Sequence, residues 1–142
     1  MKYLLDTDHI SFLQKRKGAE FVSLTANMGR HSPGDFALSV VSFHEQVLGA
    51  QAFLNRAISP IDVQRGYTLL VEILNTFSIS PVLPYDGAAS TTFATLVSSR
   101  IRVATMDLRI ASIALSQNLI LLTRNQRDFG RVPNLVAEDW TV

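Results

Sequence analysis

The chemistry this sequence can do rests on its acids: Asp6, Glu45, Asp107 and Asp128, with Asp8 beside the first of them. Carboxylates brought to one small edge repel each other, and a hard divalent cation with oxygen ligands relieves that repulsion. Mg²⁺ or Mn²⁺ held in this way activates water and stabilises charge on a phosphate. Other chemistries are poorly served. There is no cysteine, which removes disulfides, thiolate zinc sites and a cysteine nucleophile. His9, His31 and His44 lack the spacing of a zinc site. Ser11, Ser39 and Ser42 sit in no nucleophile elbow, and neither a P-loop nor Gly-x-Gly-x-x-Gly occurs.

Each acid also has a plainer use. Ser42-Phe43-His44-Glu45 matches a capping box, in which Glu45 would only close its helix. Asp107, two residues after Thr105, could serve a helix dipole. Asp128 could pair with neighbouring arginines, and Asp86 reads as an N-cap. Asp6 resists such a reading, because an acid ending the apolar run Tyr3-Leu4-Leu5 has no helix to cap in a strand. Asp107 shares a helical face with Ile110, Ala111, Ala114 and Leu115, the face that packs on a sheet. A carboxylate on that face needs a partner, and a cation shared with Asp6 and Glu45 would be one.

The elements that must position these acids alternate in kind. Strands are expected over 2–6, 36–41, 78–83, 119–123 and 135–137. Helices are expected at about 9–16, 19–29, 42–56, 60–77, 86–99 and 106–117. Strands separated by helices imply right-handed crossovers and an α/β fold, with a parallel sheet covered on both faces. In such a fold ligands bind beyond the carboxyl ends of the strands. Asp6, Asp8, Glu45 and Asp128 all follow strand ends. Glu45 is expected in the first turn of its helix, and Asp128 in a loop.

At 142 residues, 47% hydrophobic and 18% charged, the chain should bury a core rather than stay disordered. No repeat or linker divides it, so 1–142 reads as a single domain. The apolar run after Lys2 is too short for a signal peptide or a membrane span, and a cytoplasmic protein is expected. Net charge is only +1, but residues 100–131 carry a local balance of +4. Such a stretch suits phosphates. Arg124 and Arg127, near the last strong strand end, are placed to hold them.

Several blocks then resemble a known family. Tyr3-Leu4-Leu5-Asp6-Thr7-Asp8-His9-Ile10-Ser11 resembles the opening of PIN-domain ribonucleases, particularly VapC-type toxins. The stretch Ser39 to Ala50 is similar to the family's second block, and Met106 to Ala114 to the block with its third acid. Leu122 to Phe129 and Val136 to Trp140 resemble its last block and ending. The resemblance spans the whole chain, in the family's order. It implies a three-layer α/β/α fold with a mostly parallel four- to five-stranded sheet, and Mg²⁺- or Mn²⁺-dependent cleavage of RNA (tRNA, rRNA or mRNA). It also implies a cognate antitoxin usually encoded alongside. Asp6, Glu45 and Asp107 carry over as metal ligands. Asn125 and Asp128 are both candidates for a fourth position, Asp128 counted with the catalytic acids. Asp8, Thr123, Arg124, Asn125 and Arg127 are the expected substrate contacts. Asp8 departs from the family, where Asn or Ser is common, and Val103-Ala104-Thr105 replaces a more usual Ile-Gly-Pro.

Two rival functions remain. A HAD-type phosphatase would use Asp6 and Asp8 as nucleophile and acid, but it wants a late lysine, and the only lysines are Lys2, Lys15 and Lys17. A catalytically weak PIN-like binding module keeps the same acids, and a nuclease assay with and without chelator separates it. Ile10, Phe12, Leu13, Phe21, Leu24, Leu69, Leu70 and Ile73 exceed what one sheet face can cover. Apolar surface is therefore expected to remain for a homodimer and an antitoxin helix.

Overall fold

Tyr3, Leu4 and Leu5 are all buried and form β1 (Tyr3–Leu5). A strand buried on both faces belongs inside a parallel sheet. In the computed structural model, which describes residues 1–142, β1 lies between β2 (Phe36–Ser39) and a later strand, Ile120–Leu122. With β3 (Val82–Leu83), β4 (Ile120–Leu122) and β5 (Ala137–Glu138), the sheet runs β3-β2-β1-β4-β5, and every pairing is parallel. This is the α/β class that the alternation implied.

Helices make every crossover. α1 (Thr7–Lys15) and α2 (Ala19–Met28) join β1 to β2, and α3 (Val40–Arg56) and α4 (Pro60–Ser78) join β2 to β3. α5 (Gly87–Ser98) and α6 (Thr105–Ser116) carry the chain back across the sheet to β4, and α7 (Gln126–Phe129) leads to β5. The strand order reverses between β1 and β4, which leaves a crevice at their carboxyl ends.

Strand alternation divides the core into two layers. Leu4, Ala37 and Leu121 face α5 and α6, meeting Ile110, Ala111, Ile113 and Ala114. Tyr3, Leu5, Phe36, Leu38 and Leu122 face α1 and α2, meeting Ile10, Leu24 and Trp140. α3 and α4 form a hairpin that closes tightly at Gly66. A Cβ at that position would collide with the Leu54 side chain.

The structure differs from expectation chiefly where strands become helices. α1 begins at Thr7, with Asp6 as its N-cap accepting from the Thr7 backbone N–H at 2.8 Å, so Asp6 does cap a helix. β2 ends at Ser39, whose Oγ accepts from Ser42 N at 3.0 Å and starts α3. Ser42 is therefore inside the helix. The capping-box reading of Glu45 fails with it, and Glu45 lies in the second turn. α4 runs through Ser78 and shortens β3, and the segment after β4 holds the short helix α7 instead of a loop.

The spare apolar surface also falls elsewhere. Ile10, Leu24 and Ile73 are core, and Phe12, Leu13, Phe21 and Leu70 are partly covered. The exposed residues are Val63, Tyr67, Val71 and Leu74, spaced three to four apart along α4, where Leu69 is also exposed. No helix is long and apolar enough to cross a membrane.

Candidate active site

Asp6 sits where β1 turns into α1 and is only 6% exposed. Its Oδ1 accepts from Thr7 N at 2.8 Å and its Oδ2 from the Thr123 hydroxyl, at the end of β4, at 2.7 Å. The acid thus spans the switch point. Burial raises its pKa to about 7, the Asp8 charge adds to this, and the Thr123 and Thr7 hydrogen bonds offset only part of it. Asp107 adds a smaller push in the same direction.

Asp107 stands in the first turn of α6, half-buried as its helical face requires. Its pKa is raised to about 6, first by burial and then by Glu45, Asp128 and Asp8. Carboxylates from four chain segments therefore act on one another at this edge. Their donors are all oxygens and no basic side chain lowers either pKa, which is the donor set of a hard cation. No three of them already close on a single point.

Glu45 reaches this edge from α3 through hydroxyls. The Thr7 hydroxyl donates to Glu45 Oε1 at 2.8 Å and lies 3.0 Å from Ser42 Oγ. Buried Ser39, 3.4 Å from Ser42, extends the ladder. Thr7, Ser39 and Ser42 support the acid edge through hydroxyls, a role not legible in the sequence. The signal available was a threonine set between two acids at a strand end.

Asp8 is held as much as it holds. One oxygen pairs with His9 Nδ1 at 2.7 Å, and the other accepts from Arg124 N at 2.9 Å and lies 3.4 Å from the Thr123 hydroxyl. His9 is fully buried, and its Nε2 accepts from Trp140 N at 3.2 Å. With Nε2 accepting, the Nδ1 proton goes to Asp8. Asp8 thereby locks the β1–α1 turn to the chain after β4, instead of pointing freely at a substrate.

The remaining candidates separate. Asn125 caps α7 and donates from Nδ2 to Asp128 Oδ2 at 3.1 Å, so it holds Asp128 in place while the Asp128 charge reaches Asp107. Arg124 turns from the acids: its guanidinium lies 3.9 Å from Glu20 and 3.8 Å from Asp139, over the Phe12 ring. Arg127 is exposed on α7.

The fold, with its acid edge at the switch point, is of the PIN-domain type. Comparison with known proteins narrows this. The chain is 30% identical over 147 residues to a tRNA(fMet)-specific endonuclease VapC of Shigella flexneri, covering 99% of each. It is 26% identical over 141 residues to a ribonuclease VapC2 of Haemophilus influenzae, covering 99% of this chain and 98% of the relative. The chain belongs to the VapC ribonuclease family. Among solved structures, DNA-bound VapBC from Salmonella typhimurium superposes with a TM-score of 0.74 at 26% identity, covering 99% of this chain and 98% of that one. VapBC-1 from nontypeable Haemophilus influenzae superposes with a TM-score of 0.76 over all of both chains, at 24% identity, and speaks for the fold. No family model matches the chain.

Proposed function

We propose that this protein is a Mg²⁺- or Mn²⁺-dependent endoribonuclease and the toxin of a toxin–antitoxin pair. The observation that carries the reading is the acid edge at the β1–β4 switch point, where burial and mutual repulsion hold Asp6 and Asp107 well above ordinary carboxylates. Asp6, Asp107 and Glu45 would hold the ion, with Asp8 and Asp128 adding negative charge around it. When bound, the ion supplies Lewis-acid activation of water and neutralises charge on the scissile phosphate. Glu45, fixed by the Thr7 hydroxyl, is placed to orient the attacking water or take its proton. Thr123 keeps Asp6 aimed into the crevice. Arg127, exposed beside Asp128, is the arginine of the last block left to meet RNA phosphates.

The test is cleavage of a structured RNA such as tRNA by the purified protein. Cleavage is expected with Mg²⁺ or Mn²⁺, to stop in EDTA, and to leave 5′-phosphate and 3′-hydroxyl ends. Asp6→Ala and Glu45→Ala should each lose at least about 100-fold in rate. Cleavage that persists in EDTA, or a cyclic 2′,3′-phosphate product, would overturn the mechanism.

The partner reading rests on α4. Its exposed Val63, Tyr67, Val71 and Leu74 form a stripe of the kind an amphipathic helix covers, and the Salmonella neighbour is a VapBC complex. An antitoxin helix on this stripe is the proposed inhibitory contact. Homodimer formation is proposed as well, and light scattering at micromolar concentration reads it directly.

A further inference from the structure

Beside the acid edge, toward β2 and β3, lies a cavity of about 590 Å³ walled by Val40, His44, Tyr85, Phe93, Met106 and Arg109. His44 and Met106 are the chain neighbours of Glu45 and Asp107. The helices α3 and α6 thus supply side chains both to the acids and to this cavity.

Its walls have the chemistry of a base-binding surface. The Tyr85 and Phe93 rings meet edge to face, with centroids 6.4 Å apart, and both are only partly covered. The Arg109 guanidinium lies 5.8 Å from the Phe93 ring centroid. Arginines in ion pairs elsewhere are Arg65, Arg124 and Arg131. Arg109 has no carboxylate partner, since Asp107 two residues before it on α6 faces another side, and its one side-chain hydrogen bond is to Met106 Sδ, at 3.7 Å. An arginine on an aromatic wall with no carboxylate partner leaves a cation for an incoming anion. Aromatic faces with an adjacent arginine suit one ligand class above others: a nucleobase carrying its phosphate. A protein surface closing here would have to bring a carboxylate for Arg109, since an uncompensated buried charge is costly.

We propose, resting on the ribonuclease reading, that this cavity binds a nucleobase of single-stranded RNA next to the scissile bond. The base lies against Phe93 and Tyr85, and its phosphate meets Arg109. Bases flanking the cut would then be selected by stacking and by His44 at the rim, in a strand unpaired at that point.

Binding of a fluorescein-labelled single-stranded RNA dodecamer tests this by anisotropy in EDTA, where cleavage is off. Phe93→Leu keeps the apolar volume and removes the ring, and Arg109→Gln removes the charge. Each should raise Kd about tenfold, Phe93→Trp should restore wild-type binding, and Arg65→Gln on α4 should leave Kd within twofold. In Mg²⁺ both weakened variants should show a raised KM with kcat largely kept. Unchanged Kd in both variants overturns the proposal. So does a fall in assembly mass with Kd unaltered, which would make this face a contact between copies. Metal-dependent cleavage by the wild type with no Kd effect rejects the subsite alone. Absence of any metal-dependent cleavage rejects the ribonuclease reading, and the Kd comparison still decides whether the cavity binds RNA.

Discussion

Asp6 holds its proton unusually tightly, and that has a thermodynamic consequence. Its pKa rises from 3.8 to about 7 on folding, so between these values the folded state binds more protons than the unfolded chain. Stability from this group is therefore greatest below about pH 4 and is lost as pH rises through 7, by at most about 4 kcal/mol. Asp107, raised to about 6, acts in the same direction but is half-exposed, so solvent reduces its share. In EDTA the melting temperature is expected to fall from pH 5 to pH 8. Asp6→Asn should flatten that fall and stabilise the protein at pH 8, since the amide oxygen can still accept from Thr7 or Thr123. Added Mn²⁺ should raise the melting temperature far more at pH 8 than at pH 5, because protons and cation compete for the same oxygens. A wild-type melting temperature in EDTA that rises toward pH 8 contradicts this account. Calorimetry should show Mn²⁺ affinity strongly weakened in Asp6→Asn and in Asp107→Asn. Thr7 offers a separate probe. Thr7→Val keeps the shape but removes the donor to Glu45, and a hydrogen bond to a charged group contributes about 1.5–3 kcal/mol. Activity should fall roughly 10- to 100-fold with an unchanged circular dichroism spectrum.

At the scale of elements, the site depends on how abruptly strands give way to helices. Asp6 and Ser39 are each the last residue of an extended segment and the N-cap of the next helix, so the crevice is built from caps. Ser39→Ala should cost about 1 kcal/mol by denaturant melting. It should also lower activity, because the same hydroxyl supports the Ser42–Thr7–Glu45 ladder. Position 39 is fully buried, so the alanine variant leaves Ser42 N without its acceptor. The apolar runs and the acids that end them were legible in the sequence, because a buried parallel strand is a short hydrophobic run and a polar residue marks its end. Helix starts were legible only to within two residues. A strand-end acid and an N-cap acid look alike until φ and ψ are known, which is why Asp6 reads from sequence as having no helix to cap. The α7 helix, at Gln126–Phe129, is too short to show periodicity. Proximity in sequence says nothing of which way a long side chain turns, and Arg124 lies 3.9 Å from Glu20 and 3.8 Å from Asp139.

Over the whole molecule, the acid edge and the apolar α4 stripe are separate surfaces. Substitutions on one should leave the other's readout intact. Tyr67→Glu with Leu74→Glu is expected to weaken binding of the proposed antitoxin partner by at least tenfold in titration calorimetry. The same variant should keep its Mg²⁺-dependent cleavage of RNA. Equal affinity in that variant would place the antitoxin elsewhere. The order β3-β2-β1-β4-β5 carries a different consequence, one of timing. β1 leaves the ribosome first, yet its partner on one side is β4, which pairs Ile120 with Tyr3 and Leu122 with Leu5. Thr123, which fixes Asp6, and Trp140, which fixes His9, are translated later still. Since such long-range pairing is slow to form and comes after local structure, a nascent chain can build α1 to α5 and still lack a finished acid edge. A chain made this way acquires its acid edge only after β4 and Thr123 have joined β1, long after Asp6 itself has been made.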